Sequence, residues 1–185
     1  AAVHDVARML EKLGHQVEER APVLPADPAQ TLSIITGAYT ALNVRLAEAE
    51  LGRAATIDDF EKLTLATARN AAKRNSVDFV AAELDAFRIS RALAEFFVDV
   101  DVFLAPTLCR PPLKLGEIDV MGDLSSIPRT LAGYMPGTAM FNMSGQPAMS
   151  VPLAWNAAGL PLGMMFAGRF GDEATLFRLA AQLEQ

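Results

Sequence analysis

The chain has 185 residues, 51% hydrophobic and 21% charged, a balance that suits one folded globular domain and excludes a disordered or collagen-like chain. Its formal net charge of -6 argues against a nucleic-acid surface, which needs clustered Lys and Arg to displace counterions from phosphates. The longest uncharged apolar runs, such as Leu160 to Ala167, are broken by Pro or Gly and fall short of the ~20 residues of a membrane-spanning helix, so no membrane partner is expected.

In chain order, Val3, Val6, Leu10 and Leu13 recur at helical spacing and Gly14 follows as a stop, which predicts a helix running into a short strand, His15 to Glu19. Pro22, Pro25 and Pro28 make Ala21 to Ala29 a surface connection. From about Ala29 to Asp99 the pattern predicts three helices. Thr56 with Asp59 resembles a capping box, and Ser76 is placed to cap a helix that turns Val80, Leu84 and Phe87 inward. The strand Asp101 to Pro106 is a nearly continuous apolar run and is expected in the interior.

Thr107 to Gly137 carries Pro111, Pro112, Gly116, Gly122, Pro128, Gly133 and Pro136, too long a stretch for a simple connector and of the kind that shapes binding sites. Ala148 to Trp155 and Leu162 to Gly168 read as two strands joined through Asn156 and Gly159. Asp172 then caps a helix that lays Leu176, Leu179 and Leu183 on the sheet. At strand spacing Met149 and Val151 share one face while Met164 and Phe166 share another, as core residues rather than a ligand lining. The start at Ala1 and the uncapped helical pattern of Leu183 to Gln185 lead to the expectation that both ends are cut.

Several pieces then carry a family likeness: Phe141-Asn142, Gly145-Gln146-Pro147-Ala148, Ser150-Val151-Pro152, Gly159-Leu160-Pro161-Leu162-Gly163 and Gly168-Arg169-Phe170-Gly171-Asp172-Glu173. With Asp101 to Thr107 and Leu10 to Glu18, and sharpest between Phe141 and Leu176, they resemble the C-terminal part of amidase signature enzymes. The wording around Gly159 to Gln182 is similar to bacterial amidases of the aryl acylamidase and aminohexanoate cyclic dimer hydrolase type. The resemblance implies an α/β fold, a mixed sheet flanked by helices. It further implies hydrolysis of carboxylic amide C–N bonds through a Ser, cis-Ser, Lys triad, with an acyl-enzyme and no cofactor.

The departure from that pattern is as informative. No Gly-Gly pair is present, and the only adjacent serines, Ser125 and Ser126, lie between Leu124 and Ile127 rather than among the small neighbours that a strained cis bond wants. Lys12, Lys62, Lys73 and Lys114 stand in charged or loop contexts, whereas a base lysine must be desolvated to be neutral. The expectation is that residues 1–185 form the C-terminal portion of one amidase domain, that the triad lies in a missing N-terminal part, and that this chain alone is inactive.

Within the chain, Phe141, Asn142 and Cys109 are the substrate-binding candidates. Asn142, in the loop Met135 to Pro147, offers donor and acceptor to an amide over the apolar Phe141. The plainer reading is that Gly137, Gly145 and Pro147 turn the chain while Asn142 satisfies nearby backbone. Cys109 follows a strand end, where open α/β sheets place ligands, yet a lone cysteine is usually a small buried hydrophobe, and only His4 and His15 exist to serve as its base. One cysteine closes no internal disulfide, and the start resembles no secretory signal, so a cytoplasmic location is expected.

His4 and His15 with Asp5, Glu18 and Glu19 have no metal-ligand spacing. Arg53, Lys62, Arg69, Lys73 and Arg74 are interleaved with Asp58, Asp59 and Glu61 and read as a solvated face. The expected partners are a small-molecule amide, the missing N-terminal part and a second copy of the chain. Two rivals stand beside the amidase reading: the A subunit of a tRNA-dependent amidotransferase, and a non-catalytic α/β binding or scaffold module.

Overall fold

Alternation along one strand organises the molecule. In Pro161–Gly168 the side chains of Met164 and Phe166 enter one core and those of Met165 and Ala167 another, and all four are buried. The structure is a computed structural model that describes residues 2–135 and 137–184, with the side chains of Ser126, Pro128, Arg129 and Ala132 also left out. Expectations resting on Ala1, Pro136, Gln185 and the Ser126 hydroxyl lie outside the described residues.

Three strands, β1 (Val102–Pro106), β2 (Ala148–Trp155) and β3 (Pro161–Gly168), form an antiparallel sheet in the order β1-β3-β2. The hairpin between β2 and β3 turns on Asn156, whose side chain accepts from the backbone N–H of Ala158 and Leu160 at 2.9 Å, and on Gly159 at φ 73°. The sheet with flanking helices has the α/β character expected.

One face is covered by α1 (Ala2–Lys12) and α7 (Glu173–Leu183), which bury Val6, Leu10, Leu176 and Leu179 against Met164 and Phe166. The other is covered by α4 (Ser76–Phe96) and α6 (Ala139–Ser144), where Ile89, Leu93, Phe97, Met140 and Phe141 close over Met165 and Ala167. Outside that layer, α2 (Pro28–Leu51) and α3 (Lys62–Ala71) share a third cluster around Val44, Leu65 and Ala68. The helix α5 (Ile127–Ala132) lies within the proline-rich stretch, after a 3-10 turn at Leu124–Ser126.

Several local expectations are corrected. His15 to Glu19 forms no strand: Val17 instead joins the α1/α7 core and His15 Nε2 meets Gln182 Oε1 at 2.8 Å. The connection ends two residues early, since Asp27 caps α2 and Pro28 occupies its first turn. Thr56 and Asp59 close a turn rather than start a helix: Asp59 accepts from Thr56 N at 2.9 Å, and the Arg53 fork holds its other side. The true helix α3 begins at Lys62, its Leu63 N–H donating to Val120 of the long loop at 3.0 Å. Asn75, not Ser76, caps α4, in a reciprocal capping box with Asp78.

Two corrections concern faces. Val80, Leu84 and Phe87 are 50%, 50% and 66% exposed, and the inward stripe of α4 is Ala82, Ile89 and Leu93. Met149 pairs with Phe166 and Val151 with Met164, and cross-strand partners share a face, so all four lie toward α1 and α7. The strand β1 takes an edge of this sheet and is half-buried along its length; β3 is the interior one.

Candidate functional site

The polar groups that the fold gathers lie where β1, β2 and β3 meet on the α4/α6 face. Ser150 is paired with Met165 in the register, and Thr107 follows Ala105 by two residues, so both side chains leave the sheet on the side of Phe141. Thr107 N–H donates to Gly163 O at 2.9 Å, which extends the β1–β3 ladder past Pro106. Above Gly163 the hydroxyls of Thr107 and Ser150 meet at 2.6 Å across the width of a strand. That contact exists because residue 163 has no side chain: a Cβ there would sit 2.7 Å from Ser150 Oγ and 3.0 Å from Thr107 Oγ1.

Of the sequence candidates, Cys109 borders this end of the sheet, whereas Phe141 packs against Phe103 toward the other end of β1. Cys109 is exposed and its N–H donates to Tyr134 O at 3.0 Å, holding the outgoing loop beside the chain that enters α6. Phe141 is 5% exposed and its ring lies 5.7 Å from that of Phe103, so it packs the core rather than presenting a free face. Asn142, one residue on, is exposed on α6, and the segment read as a loop is in part that helix, closed by Gly145 at φ 70°. Adjacent helical residues point about 100° apart, which is why one of the pair is buried and the other free. None of the three lines the apolar groove between α4 and α6, which is bounded by Leu84, Phe87, Arg91, Ala94, Gln146 and Phe170.

The hydroxyl pair can bind a polar group but has no base: among the described residues neither oxygen bonds a His, Lys or carboxylate. Ser125 donates its hydroxyl to Asp123 at 2.9 Å, and the same carboxylate accepts Ser125 N–H, bonds that hold the Asp123 carboxyl below its ordinary range. Lys62 Nζ donates to Gly122 O at 2.6 Å and Lys73 Nζ to Asn70 Oδ1 at 3.2 Å, and all four lysines are exposed. Arg169 ties the end of β3 to Phe97 O and to Asp101, both at 2.8 Å.

Sequence reasoning missed the Thr107, Ser150 and Gly163 cluster. Thr107 closes the strand-end Pro-Thr step and Ser150 sits in Ser150-Val151-Pro152, so both were in quoted motifs. Only the register of β3 between the other two strands reveals that they touch.

The family model described as Amidase matches residues 1–177. AmiC of Mycobacterium leprae, an amidase by name, is 36% identical over 180 residues, covering 97% of this chain and 38% of that protein. The 6-aminohexanoate-cyclic-dimer hydrolase of Paenarthrobacter ureafaciens is 28% identical over 194 residues, covering all of this chain and 39% of that protein. A solved 6-aminohexanoate cyclic dimer hydrolase superposes with a TM-score of 0.86 at 26% identity, covering 99% of this chain and 40% of that one. A bacterial aryl acylamidase of the amidase signature family shares the fold, with a TM-score of 0.70 at 22% identity over 99% of this chain and 37% of that one. The chain thus spans about 38% of the length of the curated relatives it matches. No described helix is long and apolar enough to cross a membrane. With a fold and a family model that agree over residues 1–177, the chain belongs to the amidase family of amidase signature enzymes.

Proposed function

We propose that residues 1–185 are the C-terminal portion of a longer amide hydrolase, which cleaves carboxylic amide C–N bonds through a Ser, cis-Ser, Lys triad carried by polypeptide outside this chain. The observation that carries the reading is the pairing of a near-complete family match with relatives about 2.6 times as long as the matched region, since 38% coverage leaves most of such a protein elsewhere. The exposed lysines and the Asp123-bound Ser125 support it, because neither supplies a desolvated base next to a nucleophile.

In this reading the chain furnishes framework and one wall of the cleft. Asn142 and Cys109 face the substrate, a small-molecule amide, and Phe141 anchors the helix that holds Asn142. The single cysteine is in keeping with a reducing cytoplasm. The test is hydrolysis of a chromogenic anilide by the 185-residue chain and by the full-length polypeptide. Hydrolysis by the full-length protein alone is expected; robust turnover by the short chain that Ser125→Ala abolishes would overturn the assignment.

A further inference from the structure

The helix α4 carries two stripes, and the core uses one. Ala82, Ile89 and Leu93 face inward. On the opposite side Val77, Val80, Leu84, Phe87, Arg91 and Ala94 follow one another at steps of three and four, the spacing of a helix-packing seam, and the four large apolar members are 73%, 50%, 50% and 66% exposed. Over its 21 residues the helix is about 30 Å long, so the seam is a continuous apolar track rather than scattered surface residues.

At its C-terminal half the track deepens into the groove of about 550 Å³ whose far wall is Gln146 and Phe170. That wall is built: Phe170 lies over Gly145, where a Cβ would stand 3.4 Å from its ring, so the left-handed glycine that ends α6 also seats the aromatic. Arg91 projects from the same edge with no carboxylate partner among the described residues.

We infer that this seam and groove dock an amphipathic helix from the remaining polypeptide of the parent enzyme, with apolar anchors against Val80, Leu84 and Phe87 and a carboxylate facing Arg91. The inference rests on the reading that the chain is part of a longer amidase, in which some 62% of the relatives' length lies outside the matched region and needs a surface to pack on. A 3-4 spaced track receives a helix by interdigitation of side chains, whereas an extended strand would need an open ladder that α4 lacks.

The test uses the full-length polypeptide in a Cys109→Ala background, which removes the exposed thiol of residues 1–185, with labelling read at the introduced position by peptide mass spectrometry. Leu84→Cys, Phe87→Cys and Val80→Cys are made singly, and the rate of maleimide labelling is compared in the native and urea-unfolded states. The expected result is labelling at least about tenfold slower in the native protein, independent of protein concentration. Arg91→Glu should speed native labelling at position 87 and Arg91→Lys restore the protection. Native rates equal to the unfolded ones overturn the proposal, as does protection that rises with concentration, which would make a second copy the occupant. A variant that fails to fold by circular dichroism is replaced by the next position on the track. Anilide hydrolysis by the unsubstituted full-length polypeptide separates the two readings: a protected seam without hydrolysis by that protein supports the docked helix while removing the proposed reaction.

Discussion

Gly163 shows how one missing side chain can set a site. It is the position where β3 must be bare so that Thr107 and Ser150 can meet at 2.6 Å, and a methyl placed there would lie within 3.0 Å of both hydroxyls. Gly163→Ala is therefore predicted to cost about 1–3 kcal/mol as a lowered melting temperature, and Ser150→Ala in the same chain to recover part of it. Equal melting of Gly163→Ala and the parent chain would show that the notch is not tight. Asp59 makes a second residue-level case. The Arg53 guanidinium, first, and the Thr56 N–H hold its carboxyl well below the usual carboxylate range. A lowered folded-state pKa means stabilisation that is present above the unfolded value of about 3.9 and lost as pH falls through the folded one. The melting-temperature gap between the wild-type chain and Asp59→Asn should thus be widest near neutral pH and close below about pH 4; a gap independent of pH would contradict this.

At the scale of elements, α4 positions α6 and with it the exposed Asn142, because its inner stripe packs on Met140 and Phe141 and its cap fixes its start. Asn75→Ala removes the acceptor for Val77 and Asp78 N–H and should cost about 1 kcal/mol by urea denaturation. Leu93→Ala, at a fully buried position, should cost about 2–5 kcal/mol, while Val80→Ala in the 185-residue chain should stay within about 0.5 kcal/mol. The sequence made the helix and its apolar periodicity legible, down to the residues that share a stripe. It did not tell which of two stripes would be covered, since that depends on where α6 and the sheet lie. The Thr56 and Asp59 pair went astray for a related reason: the same reciprocal bonds close a turn when Arg53 is folded back onto Asp59.

For the molecule as a whole, exposed apolar surface is the dominant feature. Beyond the α4 seam, α2 presents Tyr39, Leu42 and Leu46 at 60%, 40% and 55% exposure, and β1 and β2 each have one edge unpaired in the described sheet. The 185-residue chain by itself is predicted to associate, giving a scattering mass above that of a monomer at micromolar concentration. A monodisperse monomer that unfolds cooperatively would argue that these faces need no partner.

The sequence alone determined the family, the helices on either side of the sheet segments and the β2–β3 hairpin, because glycines, prolines and apolar periods act over a few residues and appear as local spacing; it did not show α5 or α6 and placed a strand at His15 to Glu19 that does not form. It also determined the α1/α7 core, whose leucines recur at helical period beside an alternating strand. The tertiary structure decided the rest: that Phe141 is buried and Asn142 free, that Thr107 and Ser150 touch across Gly163, and that α4 leaves its larger side chains outside. Each of these depends on contacts between segments far apart in the chain, and strand register and helix rotation about a core are set by packing that no local spacing encodes.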